Sequence, residues 1–139
     1  MRSLIDMVEK YLGEHPAMAG VTVEAFGDTF EIPENIPYVN ILPRSKPRDR
    51  IFLIGGDPVY NVSPEITIEV WEVSAESLRD AFEKCERLAE NMLTALANLT
   101  ATNLGVIVHE EQIEEFMADH WELSFYYMAT ILMKAKMDE

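Results

Sequence analysis

Residues 74–99, SAESLRDAFEKCERLAENMLTALANL, are predicted to form one long amphipathic helix that organises the rest of the chain. Their apolar members recur at alternating steps of four and three, a spacing that places them on one helix face: Leu78, Phe82, Cys85, Ala89, Met92, Leu96 and Leu99. Ser74 is the predicted N-cap, and Glu76 in the first turn favours the positive end of the helix dipole. This stripe is expected to pack on a core. A coiled-coil seam is the alternative, although no other stretch repeats the pattern.

Length and composition limit the class of protein. A chain of 139 residues is expected to form a single domain over residues 1–139, and its 48% apolar content favours a folded core. The net charge of -14 disfavours general binding to the nucleic acid backbone, and sequence-specific binding to nucleic acid is not expected either. It is compatible with solubility, with a basic protein partner, or with a surface to which DNA must not stick.

The sequence predicts neither secretion nor membrane insertion. Charged residues interrupt any apolar segment before the small residues 17–19, so these are not expected to be a signal-peptide cleavage site. No stretch approaches the ~20 apolar residues of a membrane span. Cys85 is the only cysteine and lies on the apolar helix face, where a buried, inert thiol is expected. We expect a soluble protein made inside the cell.

The part before the long helix contains one short helix and several strands. Residues 3–12 are predicted to be helical, ending at Gly13 and Pro16. Alternating residues 21–26 and the apolar run 38–42 predict two strands, joined by a connection rich in proline. Residues 66–73 give the clearest central strand, because apolar side chains alternate with polar ones directly before the helix.

Residues 44–60 are predicted to be a long projecting loop or irregular hairpin. Four cations occur within seven residues, opposed only by Asp49: Arg44, Lys46, Arg48 and Arg50. An ordinary solvated loop is one interpretation. The functional one is that these cations contact an acidic surface, and a second copy of this acidic chain is the obvious candidate. Such a heterologous contact generates a ring when the rotation closes, and it would be sensitive to salt.

The part after the long helix is predicted to contain two more strands. Residues 104–108 form the first, and residues 110–118 are expected to be an acidic connection with at most one helical turn. Residues 121–134 alternate as an unusually long strand, since strands normally run to about 5–6 residues. Its second face carries Tyr126, Met128 and Leu132, which would be poorly placed in water and therefore indicate a protein partner. Together these elements predict an α+β domain with a mostly antiparallel sheet.

No residue pattern for catalysis is recognisable. His109 adjoins two glutamates, but there is no HExxH motif or closely spaced histidine pair, so no metal is expected. Four carboxylates in the acidic connection are expected to be solvated: Glu110, Glu111, Glu114 and Glu115. The prediction is a protein without enzymatic activity and without a cofactor, and a small hydrolase is retained as a third alternative.

The order of elements, and above all ITIEVWEVS at residues 66–74 running directly into a helix rich in Ala and Leu, resembles the tail terminator family of long-tailed bacteriophages. These are also called tail-completion or minor tail proteins. The resemblance implies a small α+β subunit that forms a ring, commonly hexameric, at the head-proximal end of the tail tube. It also implies that the ring stops tube polymerisation, joins the head, and acts without catalysis or cofactor.

The same resemblance implies the partners and the location. The partners would be other copies of the chain, the tail tube protein and a head-completion or connector protein, with DNA passing through the lumen. The location would be the virion tail, after assembly in the host cytoplasm. Residues 44–60 correspond in order to a long inter-strand loop of the family, but their basic cluster is not a family motif. Two alternatives are another head–tail connector or neck protein, and a host adaptor or chaperone-like binding domain.

Overall fold

A computed structural model of the chain describes residues 2–28, 31–44, 50–54, 57–60, 64–102 and 104–137. Its helices are α1 (Arg2–Glu14) and α2 (Leu78–Leu99), and a short 3₁₀ turn follows α1. Its strands in chain order are β1 (Thr22–Ala25), β2 (Tyr38–Pro43), β3 (Arg50–Ile54), β4 (Asp57–Tyr60), β5 (Glu65–Ser74), β6 (Val106–Trp121) and β7 (Ser124–Met137).

Five of these strands form one sheet in the order β1-β2-β5-β7-β6. β1 pairs with β2 in parallel, and the other neighbours are antiparallel. Residues from α1 and α2 share one buried cluster with the sheet residues Ile41, Ile68 and Ile131, which are adjacent in register. Both helices therefore cover the same face of the sheet. This arrangement confirms the predicted α+β fold with a mostly antiparallel sheet.

The start of the long helix differs from the prediction. The N-cap is Ser77, whose hydroxyl accepts a hydrogen bond from the Asp80 N–H at 3.0 Å. Ser74 is instead the last residue of β5, and its hydroxyl donates to the Asp80 carboxylate at 2.7 Å while accepting from the Glu76 N–H. The prediction of Ser74 as N-cap is wrong because the strand continues up to that residue.

The buried face of α2 is close to the predicted stripe but not identical to it. Cys85, Ala89, Met92, Leu96 and Leu99 are all fully buried, as predicted. Leu78 is 41% exposed at the first turn of the helix, so its assignment to the core was wrong. Three further residues complete the buried face: Ala81, Leu88 and Ala95.

The first helix is longer than predicted and packs on β1 and β2. α1 passes through Gly13 and ends at Glu14, rather than near residue 12. Four of its apolar side chains are buried: Leu4, Ile5, Val8 and Leu12. The Tyr11 hydroxyl donates a hydrogen bond of 2.6 Å to the Ala95 carbonyl, which ties α1 to α2.

The stretch that was predicted to be an acidic connection, residues 110–118, is the middle of β6, a strand of 16 residues. On the helix-facing side, Val108, Ile113 and Phe116 lie opposite Ala135, Ile131 and Ala129. These inward positions are five and three residues apart because the register shifts between Val108 and Glu110 and again between Ile113 and Glu115. Each bulge adds one residue and breaks the period of two by which a strand is recognised in a sequence.

The last strand begins later than predicted. β7 starts at Ser124, after a turn at Glu122 and Leu123 in which Glu122 has φ 54°. Ten residues of β7 pair with β5, and the other side of β7 pairs with β6 throughout. The predicted loop over residues 44–60 contains the hairpin β3–β4, which forms a separate two-stranded sheet.

Candidate interaction surfaces

Two features of the described residues bear on the catalytic alternatives: their metal-ligating side chains and the Cys85 thiol. Within it, no group of three or more His, Cys, Asp or Glu side chains is arranged to hold a metal ion. Burial raises the pKa of the Cys85 thiol to about 12, and the thiol lies 3.5 Å from the Val70 carbonyl oxygen. A thiol that stays protonated at neutral pH is a poor nucleophile. The absence of enzymatic activity stays a prediction.

Arg44 is the one member of the predicted basic cluster whose side chain is described. Arg44 directly follows β2, and Arg50 is the first residue of β3. Lys46 and Arg48 lie outside the described residues. The Arg44 guanidinium binds the Glu114 carboxylate and lies 3.7 Å from Glu65, so its charge is used within this chain. Contact of the cluster with a neighbouring copy stays a prediction.

Arg44 belongs to an ion-pair network that crosses the sheet. The Glu65 side chain is only 7% exposed, and its two carboxylate oxygens lie 3.7 Å from Arg44 and 3.7 Å from Lys134. Lys134 also lies 3.3 Å from Glu110 on β6. Glu65, Lys134 and Glu110 occupy matching positions on β5, β7 and β6, so they project from the same face. This network links the edge strand β6 to the rest of the sheet.

A mostly apolar row crosses the sheet face that is turned away from the helices. Tyr38, Trp71, Met128 and Met117 are adjacent in register on β2, β5, β7 and β6. Tyr38 is buried, Trp71 and Met128 are half-buried, and Met117 is 52% exposed. Exposure therefore increases along the row towards β6. We call the face that carries this row the open face, because no described helix covers it.

The three predicted contact residues of β7 lie on the open face but differ in exposure. Met128 belongs to the apolar row, and Tyr126 is half-buried between Val73 and Asp119. Leu132 is only 6% exposed, so the chain itself already removes most of that side chain from water. A partner is therefore not needed to explain Leu132. Partner contact through Tyr126 and Met128 stays a prediction.

A polar row lies beside the apolar one. The Asn40 amide donates to the Gly27 carbonyl and more weakly, at 3.4 Å, to Glu69. Burial raises the pKa of Glu69, and the hydrogen bond from Asn40 opposes this shift. The Tyr38 hydroxyl donates to Glu24 at 2.5 Å, and burial together with this carboxylate raises the pKa of Tyr38. The row holds the β1 edge of the sheet in place.

The tip of the β6–β7 hairpin exposes two large apolar side chains. Trp121 is 62% exposed and Leu123 is 87% exposed. The alternation over residues 121–134 predicts that both belong to one strand, since no Gly, Pro or Asn marks the turn at Glu122. Exposed aromatic and aliphatic side chains at a hairpin tip are typical of a contact with another protein.

A shallow cleft lies at the C-terminal end of α1. It encloses about 390 Å³, and its lining is largely apolar through Met7, Tyr11, Pro16 and Leu104. The adjacent His15 accepts a hydrogen bond from the Ala17 N–H through Nδ1, so this nitrogen is engaged in the chain's own turn. The cleft is large enough to hold an apolar side chain, and Lys10 and Glu14 also line it.

No protein-family model matches the chain. No curated protein matches it. Membership of the tail terminator family therefore stays a prediction that rests on the order of elements and on residues 66–99. Within the described ranges, neither helix has the length and apolar character needed to cross a membrane.

Proposed function

We propose that this protein is a subunit of a homo-oligomeric ring, commonly hexameric in the family it resembles, that caps a phage or prophage tail tube. In this role it would end tube polymerisation and present a surface to a head-completion or connector protein. The mature location would be the virion tail. The protein would act by binding alone, without a catalytic step or a cofactor.

One observation carries the proposal: the described helices cover only one face of the sheet, while the open face and the hairpin tip expose apolar side chains. The row from Tyr38 to Met117 and the tip residues Trp121 and Leu123 belong to this surface. A subunit that buries surface on several neighbours needs such an area outside its own core. The resemblance of ITIEVWEVS and the helix after it then indicates which assembly this surface serves.

The charge of the chain supports the same role. A net charge of -14 gives a surface that repels the phosphate backbone. A ring of such subunits suits a channel through which DNA slides without sticking. In the described residues, carboxylates line one sheet edge and the cleft beside it: Glu24, Asp28, Glu31 and Glu34.

The test is tube capping. The tail tube protein encoded in the same gene cluster is polymerised with and without the purified protein, and tube lengths are measured by electron microscopy. We expect shorter tubes that carry extra density at one end. Glu90→Gln, on the exposed side of α2, serves as the matched control and should cap as the wild type does. Unchanged tube lengths without end density would contradict the proposal.

Two other functions fit the exposed apolar tip. Another head–tail connector would bind the head portal or neck rather than the tube, so the same experiment would show no end density. A host adaptor or chaperone-like domain would bind a transient client through the open face, and its gene would not lie among tail genes. Gene neighbourhood together with the capping result separates the three.

A further inference from the structure

The middle of the outer edge of β6 presents backbone groups that no other described residue uses. The Ala135 N–H donates to the Pro64 carbonyl, so Ala135 and every second residue of β7 before it direct their backbone groups towards β5. The β6 residues opposite these positions are not bonded to β7, and their N–H and C=O groups point outwards. In the middle of the strand these residues are Glu111, Ile113, Phe116 and Ala118.

The ends of this edge are closed, in contrast to its middle. The Val108 N–H donates to the Thr100 hydroxyl at 2.9 Å, and the His120 N–H donates to the Asp119 carboxylate at 2.7 Å. Between them, residues 111–118 present an edge long enough to add another strand. Their side chains do not block it, since Phe116 turns towards Phe82 of α2 with ring centroids 5.0 Å apart.

The hairpin β3–β4 also has a strand edge to which no described strand is paired. It is a two-stranded sheet that pairs with no strand of the larger sheet among the described residues. An isolated two-stranded hairpin is marginally stable in water and gains from a third strand. β4 contains Pro58, which lacks an N–H, whereas β3 consists of RIFLI and every residue can donate. The outer edge of β3 is therefore the one suited to pairing.

Charge decides between the partners that this edge could take. Besides the ion-paired Glu110 and Glu114, β6 carries Glu111, Glu115 and Asp119, and two such strands side by side would repel each other. A symmetric pairing of β6 with β6 is therefore disfavoured. β3 begins at Arg50, at the end of the basic sequence that starts at Arg44. Its approach to β6 brings opposite charges together.

We propose that β3 of one copy pairs with residues 111–118 on β6 of a second copy. This contact uses different surfaces on the two copies, so it can be repeated around a closed ring. The inference rests on the proposed function, because it specifies the contact between neighbouring subunits of that ring. It also assigns a role to β6 and β3 that neither plays within a single chain.

The experiment uses two variants, one with a disrupted β6 edge and the other with a disrupted β3 edge. Ala118→Pro removes one outward N–H from β6, at an exposed residue whose backbone does not bond to β7. Leu53→Pro disrupts β3 in the same way. Mass is measured by light scattering after size exclusion at low salt. We expect an oligomer for the wild type, a monomer for each variant alone, and a 1:1 heterodimer when the two are mixed.

The heterodimer is the decisive outcome, because the mixture contains one intact β3 and one intact β6 edge. It also shows that both variants are folded. Ala118→Val keeps the N–H and is the matched control, which should assemble as the wild type does. A wild-type mass for Ala118→Pro, or a mixture without heterodimer, would overturn the inference.

Amide hydrogen exchange of the wild type tests the same contact without a substitution. The exchange rates at Glu111, Ile113, Phe116 and Ala118 should fall at least about tenfold when the concentration is raised into the assembling range. The pairing would be refuted if the protein stayed monomeric at a concentration of about 100 µM and the exchange rates of these four amides did not change. Tube capping by a wild type that fails these tests would leave the proposed function standing, so the two failures are distinguishable.

Discussion

The two faces of the five-stranded sheet differ in what keeps their side chains from water. On one face, Ile68 and Ile131 are fully buried beneath α2 and lie beside Ile41. On the other face, neighbouring positions of the same strands carry Trp71, Met128 and the ion-paired Glu65, with exposure increasing towards β6. The first face stabilises the single chain, whereas the second leaves side chains such as Met117 partly in contact with water.

This difference shows how a small domain can be stable and still expose apolar side chains on one face of its sheet. The helices bury the middle of one face, where Ile68 and Ile131 lie, and this removal of apolar area from water supplies free energy of folding. The open face then needs only enough burial and ion pairing to hold β6 in register. Its remaining apolar area, together with the hairpin tip, is available to a partner.

The largest expected effect comes from truncating matched residues of β7 on the two faces. Ile131→Ala should lower the free energy of unfolding by about 2–5 kcal/mol, because it leaves a cavity among fully buried neighbours. Met128→Ala should cost less than half as much, since that side chain is only half-buried. Urea unfolding of both variants measures the difference. Equal losses would mean that the open face is a second core.

Glu65→Gln tests the ion-pair network of the open face. Arg44 and Lys134 would each lose a charged partner, and we expect a loss of about 1–3 kcal/mol in the free energy of unfolding. Glu115→Gln on the same face is the matched control and should change stability by less than about 0.5 kcal/mol. High salt should weaken the effect only slightly, because the Glu65 side chain is 7% exposed. Equal effects of the two variants would show that the network contributes nothing.

The third prediction concerns the N-cap of α2, the helix that lies on the sheet face opposite the open face. Ser77→Ala should destabilise the protein by about 1 kcal/mol, since the Asp80 N–H loses its acceptor. Ser74→Ala should act differently, by raising the pKa of Asp80 back towards 3.8, because the Ser74 hydroxyl lowers that pKa. Titration of Asp80 by NMR in both variants separates the two roles. An unchanged Asp80 pKa in Ser74→Ala would contradict this assignment.

The smallest expected effect is the pH dependence of the contribution that Glu69, on the open face, makes to the free energy of unfolding. Burial raises the pKa of Glu69 above 4.5, so folding favours its neutral form. Its contribution to stability is therefore full below the unfolded-state pKa and is lost as the pH rises through the folded-state pKa. Glu69→Gln should be more stable than the wild type at about pH 7, and the difference should vanish towards about pH 4. A difference that is independent of pH would rule out this titration as its cause.

The sequence was a good guide where one period held over the whole element. The predicted positions Cys85, Ala89, Met92, Leu96 and Leu99 are buried, and β5 is the element before the helix as predicted, although three residues separate the two. It was a poor guide to β6, because two bulges break the two-residue period of the strand and its many acidic side chains are typical of a solvated connection. The ion-pair network also could not be predicted, because Arg44, Glu65 and Glu114 lie far apart in the chain.

By itself, the sequence determined the α+β composition, the long helix, the acidic surface and the sole cysteine on the helix's buried face, because these depend on local periodicity and residue type. Only the tertiary structure decided the strand order, the position of the N-cap, which cations are already paired, and which strand edge stays unpaired. These depend on register between distant segments, and a shift of one residue would send each side chain to the opposite face.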